Sequence, residues 1–292
     1  MYTEDQIKDF VKAGKIASES LEYAKSITIK GASLLEVSDK TEQKIRQLGG
    51  EPAFPTQLSF DMTAAHNCAD PDDSTVLESQ LVKIDVGVHI NGAVADNACS
   101  VDLSGQWSDL IKASKAGCEA AAKVLGPGIE LRAIGKEIDQ TVASFGFKSI
   151  RNLCGHGVNI YNIHTDPTIP NYDSGDKRKL EEGMTIAVEP FATPGAVVVA
   201  ETGRANIFMF AQKRPVRSPY ARELLTEIEK LKGLPFTTRW LTEKLGLSKV
   251  TLGLRELQSN GVIRAYPPLN EVSKAVVSQH ENTFLITANG AD

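Results

Sequence analysis

Two aspartates in the first third of the sequence have the spacing to form part of a metal site. Asp85 and Asp96 flank the dipeptide Asn91-Gly92, which is the strongest short signal for a β-hairpin. A two-residue turn at this dipeptide fixes the register of the two strands, so Asp85 opposes Ala98. In the same register Asp96 opposes Gly87. The two carboxylates then lie on one face as diagonal neighbours, with roughly 7–8 Å between their backbones.

Two carboxylates at this separation repel each other. A bound cation, a shared proton or a basic partner relieves such repulsion. The structural alternative is that both side chains face solvent on the polar side of an exposed sheet. Taken alone, the pair favours that alternative, so the other motifs of the sequence decide between the two interpretations.

Three further side chains, His156, Glu189 and Glu281, have the types that bind metals and unusual local surroundings. His156 lies between two glycines, where a backbone can approach closely, and His164 follows eight residues later. Glu189 ends an apolar run just before a proline, and Glu281 starts the last predicted strand. A lone histidine is more often structural, and acids at strand ends are often solvated. Five such residues in one chain favour a metal site.

The elements that must position these residues follow from hydrophobic periodicity. A capping box at Thr3 and Gln6 starts a long amphipathic helix, and alternation of β-branched residues predicts a strand over 81–90. Its hairpin partner runs from Ala93 towards Val101. Further helices are predicted over 41–47, 108–124 and 131–145, and further strands over 184–189, 197–201, 206–210 and 282–287. Helices that cover a mainly antiparallel sheet predict an α+β fold.

Between about positions 219 and 268 the pattern changes to closely spaced helices. Helices are predicted over 221–232, 237–244 and 248–259, followed by a strand over 261–264, which suggests an inserted winged-helix-like subdomain. Leu241, Leu245, Leu252 and Leu257 are interpreted as its own small core. Positions 218–268 carry eight Lys and Arg against five Glu, and this surplus of positive charge is small for a DNA-binding domain. The insert is therefore expected to pack beside the site and shape substrate access.

Composition narrows the class of protein. The 292 residues carry a formal charge of −5, which gives no general attraction to nucleic acid or anionic membranes. No apolar run reaches the roughly 18 residues of a transmembrane helix, and no signal peptide is recognised, so we expect a cytoplasmic protein. The four cysteines lack CxxC spacing and are expected to be reduced. Cys154 is interpreted as a small buried residue, not a nucleophile.

The ordered set Asp, Asp, His, Glu, Glu resembles the metal ligands of the type II methionine aminopeptidases. The segments around them also resemble the signatures of that family: Ala53-Phe54-Pro55-Thr56, Ala64-Ala65-His66, Lys83-Ile84-Asp85-Val86-Gly87-Val88-His89-Ile90, Gly155-His156-Gly157 and Glu189-Pro190-Phe191. The long stretch between Glu189 and Glu281 is similar to type II members. The chain starts close to its first predicted helix, which fits the archaeal form. One departure is Asn282, where many relatives carry histidine.

The resemblance implies a pita-bread fold with two divalent metal ions, cobalt, manganese, iron or zinc, between two related halves. Asp85 would chelate one metal and His156 would serve the other. Asp96, Glu189 and Glu281 would complete or bridge the pair, and Glu189 would also act as general base. His66 and His164 match the histidines that contact the substrate and stabilise the tetrahedral intermediate. Phe54 matches a residue of the methionine pocket.

The resemblance also implies a domain division and a substrate. Positions 1–195 and 269–292 would form the pita-bread catalytic domain, and 196–268 the type II insertion with its helical subdomain. The expected activity is removal of the initiator methionine from nascent polypeptides when the second residue is small. We expect a monomer with transient proximity to the ribosome and no membrane or nucleic-acid partner.

Two alternatives use the same scaffold. Proline-directed dipeptidases share the ligand order but usually carry a longer domain before the first aspartate, and 84 residues precede Asp85 here. A non-catalytic binding protein would have lost metal ligands, whereas all five ligands and both accessory histidines are present. The sequence therefore favours the aminopeptidase.

Overall fold

The computed structural model describes residues 2–292, with seven helices in that range. Thr3 and Gln6 form the predicted capping box before the first helix. The second helix begins before the predicted position 41, because Ser33 caps it and accepts a hydrogen bond from the Glu36 amide. The helices are α1 (Glu4–Ile27), α2 (Leu34–Gln47), α3 (Ser108–Val124), α4 (Leu131–Ser144), α5 (Pro219–Glu229), α6 (Thr238–Leu245) and α7 (Leu247–Ser259).

The strands are mostly short and pair antiparallel. The chain up to position 149 contains β1 (Glu51–Pro52), β2 (Gln57–Phe60), β3 (Thr63–Ala65), β4 (Leu81–Ile90), β5 (Ala93–Asp102) and β6 (Lys148–Ser149). The middle contains β7 (Cys154–Asn159), β8 (Asn162–Pro170), β9 (Thr185–Val188), β10 (Phe191–Thr193), β11 (Val199–Glu201) and β12 (Ile207–Phe210). The remaining strands are β13 (Phe236–Thr237), β14 (Ile263–Tyr266), β15 (Leu269–Glu271), β16 (Ser278–Gln279), β17 (Asn282–Thr287) and β18 (Gly290–Ala291).

Two sheets, each covered by a pair of helices, make up the main body of the protein. One sheet has β4 between β5 and the short strands β1 and β2, and it shares a hydrophobic core with α1 and α2. The other runs in the order β18-β17-β9-β7-β8 and shares a second core with α3 and α4. This arrangement confirms the predicted α+β class. The strand pair β7–β8 was not among the predicted elements.

The two sheets meet through β5 and the start of β17. Ala98 and Glu281 exchange both main-chain hydrogen bonds, at 3.1 and 2.9 Å. The Thr283 hydroxyl accepts from the Asp96 amide at 2.7 Å and donates to the Asp96 carbonyl at 2.9 Å. These contacts join the hairpin that carries the two aspartates to the segment that carries Glu281.

The helical insert has its own core of buried residues, which lie between Phe208 and Ile263. Its three helices pack on a small sheet in which β12 lies between β13 and β14. Leu241 and Leu257 are buried in this core, as predicted, and Leu245 packs against it. The prediction was wrong for Leu252, which is 54% exposed because it lies on the outer face of α7. The predicted domain boundaries stay a prediction.

A buried ion pair, which we call the anchor pair, fastens the insert to the main body. Arg239 on α6 donates to both carboxylate oxygens of Glu42 on α2. The Trp240 indole donates to Glu42 at 2.7 Å, and the Thr56 amide donates to it at 3.1 Å. Glu42 is 2% exposed, so its charge is compensated by arginine and hydrogen bonds together.

Within residues 2–292, none of the helices has the length and apolar composition that crossing a membrane requires.

Candidate metal centre

The hairpin β4–β5 has the register that its two-residue turn predicts. Asp85 pairs with Ala98 and Asp96 pairs with Gly87, so both carboxylates lie on the same face. Asn91 and Gly92 have φ values of 50° and 93°, the left-handed conformations that a tight hairpin turn requires. The side of the hairpin at Gly87 must be free of a side chain, because a Cβ there would lie 2.1 Å from the Phe54 ring.

Three neighbouring strand segments bring the other predicted ligands to this face. His156 is on β7 and pairs with Ala187 of β9. Glu189 follows the last residue of β9 directly, and Glu281 precedes β17, whose Asn282 pairs with Val188. The strand pairings therefore collect five residues that are spread over 197 positions, from Asp85 to Glu281. We call these five residues, Asp85, Asp96, His156, Glu189 and Glu281, the metal centre.

Distances within the metal centre suit a shared cation. One potential ligand atom each from Asp96, His156 and Glu281 lies within 4.8 Å of the other two. The His156 Nε2 atom is 3.8 Å from Asp96 and 3.9 Å from Glu189. On the other side of the ring, His156 Nδ1 is 3.2 Å from the Gly157 carbonyl oxygen. With the proton on Nδ1, the Nε2 lone pair points at the carboxylates and is available to a metal.

Burial of the acids and of the histidine has the largest effect on the pKa values in the metal centre. Desolvation raises the pKa of Asp85 to about 7, and it raises the pKa of Asp96 well above its ordinary value with further repulsion from Glu281. The pKa values of Glu189 and Glu281 are also raised well above normal, first by burial and then by the neighbouring acids. Burial lowers the pKa of His156 to about 3, so its imidazole is neutral at pH 7.

Several carboxylate oxygens of the metal centre have no partner. Asp85 Oδ1, Asp96 Oδ1 and Glu281 Oε1 are buried and make no hydrogen bond within residues 2–292. In the same range, no lysine or arginine forms an ion pair with any of the four acids. Burying ionised carboxylates without a partner lowers the free energy of unfolding. Four acids and one neutral imidazole are ligands that divalent transition metals accept, so these residues fit a metal site.

A cavity of about 670 Å³ opens beside the metal centre. Phe54, His66 and His164, the other residues singled out from the sequence, all line it. The His164 ring packs edge-on against the His156 ring, with 4.4 Å between centroids. Burial lowers the pKa of His164, and it lowers that of His66 to about 4, so both are neutral at pH 7. All residues predicted for the site are therefore in one place.

The backbone of His66 is held in an unusual conformation. Its φ is 66°, a region that residues other than glycine adopt rarely and often at functional sites. The Gln57 side chain accepts a hydrogen bond from the His66 amide at 2.7 Å, and the Tyr266 ring packs edge-on against the imidazole at 5.4 Å. These contacts fix the direction in which the imidazole enters the cavity.

Sequence reasoning missed several residues at the site. Gln279 Nε2 lies 3.3 Å from Glu281 and 3.5 Å from Glu189, so it bridges two acids of the metal centre. Tyr266 and Ile207, which belong to the insert region, line the cavity together with Leu269. Gln279 stands two positions before Glu281, and that spacing was the only available signal for it. Nothing local marks the apolar residues, because they reach the cavity only through the packing of the insert.

Comparisons with known proteins agree with this site. The model of metallopeptidase family M24 matches residues 8–217. The chain is 41% identical over 291 residues to a methionine aminopeptidase of Archaeoglobus fulgidus, covering 99% of this chain and 98% of that protein. It is 33% identical to methionine aminopeptidase 2 of Schizosaccharomyces pombe, covering 97% of this chain and 71% of the yeast protein.

A solved structure of a thermophilic Arx1 superposes with a TM-score of 0.85 at 16% identity, covering all of this chain and 91% of the other. This likeness concerns the fold alone. Together with the family match it confirms the pita-bread fold that the motifs implied. The full-length matches to archaeal relatives confirm the resemblance drawn from the motifs. The chain therefore belongs to metallopeptidase family M24.

Proposed function

We propose that this protein is an aminopeptidase that removes the N-terminal methionine from polypeptides by metal-assisted hydrolysis. The observation that carries the proposal is the metal centre itself: buried, unpaired carboxylates and one neutral imidazole at the wall of a partly apolar cavity. The names of the relatives, all methionine aminopeptidases among the full-length archaeal matches, support the choice of substrate.

Two divalent metal ions, cobalt, manganese, iron or zinc, are proposed as cofactors. Asp85 would be a ligand of one ion and His156 a ligand of the other. The remaining three acids would complete or bridge the pair: Asp96, Glu189 and Glu281. When bound, such ions supply Lewis-acid polarisation of the scissile carbonyl and acidify a water molecule. Family membership supports the use of divalent metal, and four acids in one cluster provide enough negative charge for two cations.

The two histidines of the cavity would act on the reacting amide as hydrogen-bond donors. Both imidazoles are neutral at pH 7, because burial lowers their pKa values. A neutral imidazole can donate one N–H to the oxygen on which negative charge develops, and fixed donors stabilise that charge. His66 is held by its backbone and by Tyr266, and His164 by packing on His156, so neither ring must be ordered when substrate enters.

Glu189 is proposed as the general base that takes a proton from the attacking water and passes it to the departing amine. It lies at the end of β9 on the cavity wall, where Gln279 holds one oxygen at 3.5 Å. Its pKa is raised by burial and by the neighbouring acids, which is the direction expected of a carboxylate that accepts protons near neutral pH.

The apolar part of the cavity is proposed to bind the methionine side chain. Phe54 lies over Gly87, directly beside the two aspartates, and Tyr266 and Leu269 approach from the insert side. Substrates are proposed to be the N-termini of nascent polypeptides with a small second residue. Transient proximity to the ribosome, the cytoplasmic location and the monomeric state stay predictions.

The direct test is methionine release from the peptide Met-Ala-Ser by metal-stripped protein, with and without Mn²⁺ or Co²⁺. We expect metal-dependent release that is lost in Asp96→Ala and kept in Asp109→Ala, which changes an exposed aspartate on α3 that pairs with Lys112. Circular dichroism must show that both variants are folded. No release from the folded wild-type protein with any divalent metal, or preferred cleavage of Gly-Pro over Met-Ala-Ser, would contradict the proposal.

A further inference from the structure

A second cleft adjoins the cavity of the metal centre at the β7–β8 hairpin. This cleft, which we call the distal cleft, has a volume of about 510 Å³. Asn152, Leu153, Cys154 and Thr168 line both the cavity and the distal cleft. By comparison, the cleft lined by Pro235 and the small cleft lined by Thr165 and Asp166 share one and two wall residues, respectively, with the metal-centre cavity. The cavity and the distal cleft therefore adjoin at the four residues that they share.

Hydrogen bonds and close packing hold both walls of the distal cleft in place. On the inner wall, the Asn171 amide donates to the carbonyl oxygens of Leu153 and Glu189, at 3.2 and 2.9 Å, and so ties the cleft to the metal centre. On the outer wall, the main chain of Asp176 and Arg178 accepts hydrogen bonds from the first turn of α4, at 2.9 Å each. A Cβ on Gly135 would lie 2.1 Å from the Tyr172 carbonyl, so α4 packs closely against this wall.

Two arginines on these walls have hydrogen-bonding capacity to spare. The Arg151 guanidinium lies over the Tyr172 ring, 4.7 Å from its centroid, and among residues 2–292 only its Nη2 has a hydrogen-bond partner, Asp139, at 3.0 Å. Arg178 uses Nε and Nη2 on Asp176, and its Nη1 is 3.7 Å from Asp166, beyond hydrogen-bond distance. A guanidinium has five N–H donors. Several donors of both residues thus remain for a ligand with oxygen acceptors.

The length of the path matches a short extended peptide. The cavity and the distal cleft meet at Thr168, four residues beyond His164 on β8. At about 3.3 Å per residue, this distance along the strand is roughly 13 Å. An extended substrate whose reacting carbonyl lies near His164 would reach Thr168 at about its fourth or fifth residue.

We propose that the distal cleft binds the main chain of the polypeptide substrate from about its fourth residue onward. Arg151 and Arg178 donate to main-chain carbonyl oxygens, which every polypeptide presents regardless of its side chains. The inference rests on the proposed function, because it assigns the cleft to the same substrate. It predicts an enzyme that reads only the first two side chains but gains affinity from a longer chain.

The test compares kcat/KM for Met-Ala-Ser with that for Met-Ala-Ser-Gly-Ser-Gly. Because each hydrogen bond gained on binding contributes a modest net free energy, we expect the longer peptide to be favoured by about fivefold. In the double variant Arg151→Ala/Arg178→Ala this ratio should fall to about one. The control Arg264→Ala, which removes an exposed arginine on β14, should keep the wild-type ratio. A wild-type ratio near one, or an unchanged ratio in the double variant, would overturn the inference.

A second measurement does not need hydrolysis. The product peptide Ala-Ser-Gly-Ser-Gly should bind the wild-type protein about fivefold more tightly than Ala-Ser in calorimetry, and the double variant should lose the difference. Equal affinity of the wild-type protein for both peptides would overturn the assignment of the cleft. This measurement does not depend on catalysis. It therefore distinguishes a wrong cleft assignment from a wrong proposed function, because methionine release from Met-Ala-Ser tests the proposed function separately.

Discussion

Two of the places where the protein buries carboxylates treat them in opposite ways. In the anchor pair, Glu42 meets Arg239, and the indole of Trp240 and the amide of Thr56 complete its hydrogen bonding. In the metal centre, four acids converge and no lysine or arginine of residues 2–292 forms an ion pair with them. Both sites remove charge from water, but only the anchor pair contains its own counter-charge.

The difference indicates what each site is for. A buried ion pair with full hydrogen bonding holds two elements in a fixed arrangement, here α2 and the insert. A cluster of unpaired acids costs stability unless a cation from solution enters it. The metal centre therefore lowers the stability of the fold until a cation binds to it. The anchor pair needs no bound ligand, because it contains both charges.

The largest expected effect is on catalysis, from Glu281→Ala. Glu281 is the predicted ligand whose motif departs most from the family, because Asn282 follows it. Loss of residues that merely support metal ligands typically costs 10–100-fold, so loss of a ligand should lower kcat/KM for Met-Ala-Ser by at least about 100-fold. The exposed Glu223→Ala variant is the matched control. Activity within a few-fold of wild type would remove Glu281 from the metal centre.

The next effect is on stability, from Arg239→Ala. Removing one partner of a buried ion pair leaves the other charge uncompensated, so the free energy of unfolding should fall by about 3–5 kcal/mol. Urea denaturation measures it, and Arg264→Ala should change it by less than about 0.5 kcal/mol. Added Mn²⁺ should leave the difference in unfolding free energy between the wild-type protein and Arg239→Ala unchanged. A loss below about 1 kcal/mol would mean that the anchor pair does not hold the insert.

The metal-free protein should lose stability as the pH rises. The pKa values of the four acids are raised in the folded state, so the unfolded chain releases their protons first. The folded state then holds more protons than the unfolded chain. Stability therefore falls as the pH rises from about 4, the ordinary carboxyl pKa, through about 7, the raised pKa of Asp85.

For each proton held in excess, the slope is about 1.4 kcal/mol per pH unit. Denaturation series at pH 5, 6 and 7 in the presence of a chelator measure this slope. Saturating Mn²⁺ should remove it, because a bound cation stabilises the ionised acids. The variant Asp96→Asn, which removes one titrating group, should show a shallower slope without metal. A metal-free protein whose stability rises across this range would contradict the description of the site.

The smallest effect concerns the residue that supports the ligands. Gln279 donates to both Glu189 and Glu281, and Gln279→Leu removes these hydrogen bonds while keeping similar volume. Metal affinity should fall by about 10–100-fold, with the ligands still in place. Titration with Mn²⁺ measures the change. An unchanged affinity would show that Gln279 has no part in orienting the two acids.

The two regions also differ in how well the sequence predicted them. The register of Asp85 and Asp96 followed from the Asn91-Gly92 turn alone, because a two-residue turn leaves no freedom in the pairing. The anchor pair was not predicted at all. Its partners are separated by 197 positions, and neither has a local pattern that distinguishes it from a surface residue.

The hairpin β7–β8, which carries both histidines of the site core, was missed for a different reason. Gly155 and Gly157 interrupt the apolar alternation that marks a strand. Both are required by close approach of backbones: a Cβ on Gly155 or Gly157 would lie 2.2 Å from the carbonyl oxygen of Ala187 or Asp166, respectively. The glycines that concealed the strand are the ones that let β7 lie between its neighbours.

The central claim is that the unpaired acids of the metal centre bind divalent cations, and calorimetric titration of metal-stripped protein with Mn²⁺ tests it most directly. We predict saturable binding of two ions per chain, lost or strongly weakened in Asp96→Ala and kept in Asp109→Ala. The result that would contradict the account is a folded wild-type protein that binds none of Mn²⁺, Co²⁺, Fe²⁺ or Zn²⁺, or one whose binding is unaffected by Asp96→Ala.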